Sequence, residues 1–249
     1  MYARLAVQVL SKCTRRFQSS AATSLDISTV HKGNLFEERS IMLLQQHLSM
    51  SLTKIGGRGD GGIDLQGWWW LPPKSEGDEP HRNKMEDVKS ATLSKSEFGR
   101  RRIRVLGQCK AERKKMGPKY VRELEGVVHT MIHANAQSEK FPYVGILVSE
   151  SAFTKSALTR AMSSPIPFLL VHLPPLEEYF ENEAKQCGLL GSIVWNSALA
   201  GRDGLLGGEL ELRWERTGPQ VDGDSELYLG RPSLWWKGRP LDNYVHSGL

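Results

Sequence analysis

The segment from Met116 to Leu173 alternates two periodicities, and this limits most strongly what the chain can fold into. In "MGPKYVRELEGVVHTMIHANA", Tyr120, Val121, Leu124, Val127, Val128, Met131 and Ile132 form one stripe at helical spacing, and Pro118 suits a first turn. "YVGILVSE" is a short apolar run of the kind a buried strand needs. "SAFTKSALTRAM" returns to a helix pattern, with Ser151 or Thr154 as its N-cap, and "IPFLLVHL" to a buried strand. "PLEEYFENEAKQCG" predicts a further helix. Upstream, a helix runs from about Thr29 to His47, followed by strands near Leu52–Ile55, from Ile63 to about Leu71, and over "IRVLGQCKAE". The order helix, three strands, helix, strand, helix, strand implies an α/β fold with a central mixed β-sheet flanked by helices. "GELELRW" and "ELYLGRPSLWWKGRPL" point to strands, so residues 176–249 are expected to form a β-rich C-terminal extension.

Charge divides the chain. Of the formal net charge of +5, residues 1–25 carry +4 from Arg4, Lys12, Arg15 and Arg16 with no acid, which leaves +1 for all the rest. That leader is Ser/Thr-bearing, with Leu5, Val9, Leu10, Cys13 and Phe17 at helical spacing. It has the pattern of a mitochondrial transit peptide, the alternative being a basic tail. Residues 72–102 are polar, highly charged and poor in core residues, as a mobile insertion in a hairpin would be. No apolar run reaches the roughly 20 residues that span a bilayer. Cys13, Cys109 and Cys187 are too few and too scattered for a disulfide framework or a zinc knuckle.

The stretch "GGRGDGGIDLQGWWW", Gly56 to Trp70, invites a phosphate-loop reading and excludes it by context. A phosphate loop opens a helix, whereas these glycines feed a strand pattern, and no Gly-Lys-Ser/Thr follows. Asp60 falls in the turn and suits a cap on the glycine loop. Strand alternation puts Asp64 and Gln66 on one face and Ile63 and Leu65 on the other. In the later strand Ile103, Val105 and Cys109 share one face, and Arg104, Leu106, Gln108 and Lys110 share the other. If the two strands pair, Asp64 and Lys110 converge. On the first helix Glu37 falls inside the apolar arc and Glu38 outside it. An inward carboxylate must be paired or hold a cation. Taken singly, Asp64 also fits a polar residue beside a turn, Lys110 a surface lysine at a strand end, Gln108 a polar strand position and Glu37 a half-buried helix acid.

Together, "GNLFEE", "GRGDGGIDLQG", "GQCK", "VRELEG" and "VGILVSESAFTKSALTRA" resemble the Mrr-type (type IV restriction endonuclease-like) branch of the PD-(D/E)xK nuclease superfamily. The resemblance covers roughly residues 30–175. With its leader and tail, the chain also resembles the fungal mitochondrial family named required for respiratory growth. The first resemblance implies a restriction endonuclease-like core over residues 26–175 that cleaves phosphodiesters with Mg2+. It implies Asp64 as direct metal ligand, the backbone carbonyl of Cys109 as second ligand and Glu37 as holder of a metal-bound water. Lys110 would orient or deprotonate the nucleophile. Gln108 stands where the superfamily has an acid, a neutral substitution that Mrr-type members share. The implied protein acts on nucleic acid, DNA rather than RNA, in the mitochondrial matrix, supporting genome maintenance and respiratory growth. A second reading keeps the fold as a catalytically inactive nucleic-acid-binding factor. A third makes it a matrix interaction protein whose tail docks a partner.

Three further signals bear on partners. From Arg100 to Arg122 there are ten Lys/Arg against Glu112 alone, a local +9 around Gln108–Lys110. Arg104, Arg113, Lys114, Lys115 and Lys119 are its candidate phosphate contacts, unless the run is only a solvated face. His129 and His133 have the i, i+4 spacing of a metal pair but lie opposite the core stripe with no third ligand in view, which favours surface histidines. Trp68, Trp69 and Trp70 could stack bases, although alternation in a strand favours packing.

Overall fold

The computed structural model describes residues 29–55, 61–73, 100–135, 141–175, 190–216, 220–222, 225–227 and 230–241. The basic leader, Asp60, most of the 72–102 insertion and most of the helix expected over residues 175–188 lie outside the described residues. Helix α1 (Thr29–Leu48) is followed by β1 (Met50–Lys54), β2 (Leu65–Leu71) and β3 (Arg101–Lys110) in an antiparallel meander. Helix α2 (Pro118–Ala134) carries the chain back to β4 (Tyr143–Ser149), and α3 (Lys155–Met162) to β5 (Phe168–His172). The strands β3, β4 and β5 are mutually parallel. A sixth strand, β6 (Ser192–Trp195), pairs antiparallel with β5, so the mixed sheet runs β1-β2-β3-β4-β5-β6. The short helix α4 (Ser197–Ala200) follows.

Each face of the sheet has its own core. Phe36, Leu43, Leu44 and Leu48 of α1 pack with Leu65, Trp69, Ile103, Val105 and Val148. On the other face Val121, Leu124 and Val128 of α2 pack with Leu106, Leu147, Phe168 and Leu170. The alternation expected in β3 is present: Ile103, Val105 and Cys109 enter the α1 core and Leu106 the α2 core. In α3 the choice of N-cap falls to Thr154, whose hydroxyl accepts from Ala157 N at 3.2 Å.

The strand read from Ile63 begins two residues later, and this breaks the expected sharing of a face by Ile63 and Leu65. Leu65 joins the α1 core and Ile63 the α2 core. Ile63 still belongs to the turn leaving Gly61 and Gly62, whose φ values of 66° and 80° lie in the left-handed region that favours glycine. The three tryptophans divide as alternation requires. Trp69 is fully buried in the α1 core, whereas Trp70 donates its Nε1–H to Ser51 Oγ at 3.0 Å. Trp68 is half-buried and meets Phe141 edge-on, with ring centroids 5.0 Å apart.

The C-terminal residues form a second, small sheet ordered β11-β10-β7, from β7 (Leu210–Arg216), β10 (Gly230–Trp236) and β11 (Arg239–Pro240), with a separate hairpin of β8 (Gln220–Asp222) and β9 (Ser225–Leu227). Leu206, Leu210 and Leu234 join the α1 core. The Arg101 guanidinium donates to the Leu205 carbonyl at 3.2 Å and lies over the Trp236 ring. Burial draws its pKa down, and Glu209 partly restores it.

Residues just past β6 lock the far end of the sheet. Asn196 is buried, and its amide donates to the carbonyls of Ala161, Ser164 and Ile166 at 3.0, 3.1 and 2.8 Å. Its carbonyl accepts from Phe168 N and Leu199 N, both at 3.0 Å. Asn196→Ala would leave several of these groups buried without partners, at about 1–3 kcal/mol each. Urea unfolding of this variant is expected to show a loss of at least ~3 kcal/mol.

Candidate functional site

Asp64 sits where β2 has not yet begun. Its N–H donates to the Gly107 carbonyl and its own carbonyl accepts from Ile55 N, both at 2.9 Å. Its side chain crosses to β3, where Oδ2 accepts the Cys109 N–H at 2.7 Å. Gly107 presents its carbonyl toward β2, and a two-residue period brings the Cys109 carbonyl to the same edge. Asp64 and the Cys109 peptide are therefore brought together at the mouth of the β2–β3 pair.

Gln108 and Lys110 lie on the α2 side of β3. Gln108 is 4% exposed, and its Oε1 has no hydrogen-bond partner. A Cβ on Gly62 would stand 3.0 Å from its Nε2, so the glycine turn closes directly over this amide. Lys110 ends the strand half-buried, with Nζ 5.8 Å from the centre of the Tyr120 ring. The Tyr120 hydroxyl donates to the Glu112 carboxylate at 2.9 Å, which raises the phenol's pKa.

Glu37 approaches from the α1 side. Glu37 is half-buried and Glu38 exposed, as the helical wheel requires. The inward carboxylate has found a cation, the Lys54 ammonium of β1 at 2.7 Å, which also donates to Asn34 Oδ1 at 2.8 Å. Lys54 was invisible as a site residue, since its link to Glu37 joins two elements that no short motif connects. The charges of Glu37, Asp64 and Lys110 all reach the Cys109 thiol. Burial pushes its pKa far up and the Ser40 hydroxyl opposes this; Asp64 and Glu37 raise it further and Lys110 lowers it.

The basic run does not form one surface. Arg104 faces Trp68 across the β2–β3 pair and stacks over its ring at 4.8 Å, beside Arg102 at 4.6 Å. Arg104 precedes Lys110 by six residues of extended strand, which is about 20 Å. Arg100, Arg101, Arg102 and Arg104 thus belong to the far end of β3, while Arg113, Lys114, Lys115 and Lys119 stand exposed at the Asp64 end. His129 and His133 are exposed on α2 with their Nε2 atoms 3.2 Å apart. Among the described residues no three His, Cys, Asp or Glu side chains converge on a common metal position. No helix of the described residues is long and apolar enough to cross a membrane.

Residues 28–200 match the family described as "Required for respiratory growth protein 7", a span that takes in α1 and the whole six-stranded sheet. The chain belongs to that family. The respiratory growth protein 7 of Vanderwaltozyma polyspora, named as mitochondrial, is 31% identical over 60% of this chain and 66% of its own length. An uncharacterized mitochondrial protein of Schizosaccharomyces pombe is 30% identical over 59% of this chain and 46% of its own. The respiratory growth protein 7 of Candida glabrata is 29% identical over 72% of this chain and 77% of its own. The chain thus spans just under two thirds of the first of these relatives and less than half of the second. No solved structure matches it.

The Cys109 environment gives this family member a measurable signature. Its folded thiol has a raised pKa, so the stabilisation linked to it is complete below the unfolded value of 9.0 and is lost as pH rises above it. In the native protein, alkylation of Cys109 by iodoacetamide at mildly alkaline pH is expected to be at least ~100-fold slower than in urea, as read by peptide mass mapping.

Proposed function

We propose that this family member is a mitochondrial nucleic-acid-binding protein with a restriction endonuclease-like core of the Mrr-type PD-(D/E)xK kind, cleaving DNA phosphodiesters with Mg2+. The bond from Cys109 N–H to Asp64 Oδ2 carries the reading, because it sets an acid of one strand across the middle residue of Gln108-Cys109-Lys110 on the next. The six-stranded mixed sheet between α1 and α2 supports the same architecture. The relatives' names, mitochondrial and required for respiratory growth, support the compartment and the cellular role.

The donors assigned to the metal are all oxygens, which suit a hard cation: the Asp64 carboxylate, the Cys109 carbonyl and the Glu37 carboxylate. Asp64 and the Cys109 carbonyl would hold Mg2+ directly and Glu37 through a water. The ion would neutralise the scissile phosphate and make a bound water nucleophilic. Lys110 takes or orients the proton of the attacking water and offsets charge on the phosphate in the transition state. Gln108 is neutral, so the site has one negative charge fewer than a two-acid strand motif would give, and weaker metal affinity follows.

The contact of Lys54 with Glu37 favours a second reading. A lysine already satisfies the helical acid, as it would in a nuclease fold kept as a non-catalytic nucleic-acid-binding factor. Plasmid nicking separates the two. Cleavage that requires Mg2+ and falls at least ~100-fold in Asp64→Ala and in Lys110→Ala is expected for the nuclease. Salt-sensitive binding without cleavage identifies the binding factor, and nicking that survives both substitutions removes this site assignment.

A further inference from the structure

We infer that the groove between α2 and α3 holds the sugar–phosphate backbone of a nucleic-acid strand reaching the Asp64 site, an assignment that rests on the nucleic-acid reading above. The groove has a volume of about 790 Å³. Arg122 projects into it from α2, Lys155 and Arg160 from α3, and the hydroxyl residues Thr154, Ser156 and Thr159 line it between them. No carboxylate lines it. The chain beyond its leader is nearly neutral, so a concave surface with three cations, of which Arg160 alone meets a carboxylate, departs from the average surface.

The cations differ in how they are held. Arg160 is ion-paired with Glu125, whose other oxygen accepts from Ser164 Oγ at 2.7 Å, so its guanidinium is anchored at the groove wall. Arg122 and Lys155 are exposed and have no carboxylate partner among the described residues. Cations and hydroxyls in alternation suit phosphodiester oxygens, which accept from both. A bilayer surface would instead call for a projecting face with apolar side chains to insert.

The walls are cross-braced. Met116 and Phe153 form a parallel bridge; Met116 N donates to Ala152 O at 3.0 Å, and Thr154 N to Met116 O at 2.9 Å. Ser151 Oγ donates to Lys114 O at 2.6 Å. These bonds tie the approach to α2 against the approach to α3, which preorganises the cations. The groove lies at the same end of the sheet as the candidate centre, since α2 and α3 both begin beyond the ends of β3 and β4, where Glu150 N donates to the Lys110 carbonyl at 3.0 Å. The Tyr120 ring lies under the ammonium groups of both Lys110 and Lys119, at 5.8 and 6.0 Å.

The test uses full-length protein carrying Asp64→Ala, in EDTA, so that binding is read without cleavage. Fluorescence anisotropy with a short labelled DNA duplex is followed between about 50 and 200 mM salt. Added Arg122→Ala with Lys155→Ala is expected to make the slope of log affinity against log salt shallower by about 1.8, the value for two lost phosphate contacts. Thr159→Glu, which leaves both cations in place, is expected to weaken binding at low salt. The paired control Arg202→Ala with Arg239→Ala removes the same charge from exposed sites away from the groove and is expected to leave the slope unchanged. Equal slopes for the groove and control pairs, with the parent binding DNA normally, would overturn the groove and leave the nucleic-acid reading intact. A parent that binds no nucleic acid, or that binds only anionic phosphatidylserine vesicles, overturns both.

Discussion

The strand β3 is fixed on every side, and the rest of the sheet is referenced to it. It pairs antiparallel with β2 and parallel with β4, and its side chains enter a core on each face. A slip of one residue would exchange Gln108 and Lys110 for Cys109 and send every apolar side chain to the wrong core. Its register therefore fixes the order of chemical groups at its end. The Asp64 carboxylate bond to Cys109 N–H continues the ladder one step past the first residue of β2, with a side chain where a main-chain carbonyl would otherwise stand.

Elements with a long, regular pattern were legible in the sequence. The α1 and α2 stripes, the apolar runs of β4 and β5, and the alternation in β3 follow from side-chain period alone. The place just ahead of an apolar helical pattern narrowed the α3 cap to Ser151 or Thr154, and the bond from Ala157 N selects Thr154. What escaped depends on contacts between distant segments. "SIVW" is too short to announce a strand, and only its pairing with β5 makes it one. The side chain of Asn196 reads as a loop residue until five main-chain groups surround it. The basic run from Arg100 to Arg122 is compact in sequence but not in space, because an extended strand separates its two ends.

The residues of the candidate site were legible one by one, and their arrangement was legible only in part. Pairing of the two strands was a condition that the structure meets, and the inward lean of Glu37 followed from the helical wheel. Lys54 did not follow from anything local, and it changes the balance of charge, since Glu37 answers to an ammonium before any other cation arrives. Gln108 shows the opposite case, a buried acceptor that nothing in the described structure satisfies. One side of the centre is thus already neutralised, and the other presents an unmet hydrogen-bonding group.

The position of β6 also bears on how the chain can be divided. It covers the outer edge of β5, and Asn196 beside it clasps the end of α3 to the start of β5. A fragment stopping at Pro175 would expose Leu169, Leu170 and Val171 along an uncovered strand, the kind of border at which separate molecules zip together. The residues up to Pro175 are for this reason not a detachable module, and a shortened form that keeps the β5 edge covered retains β6.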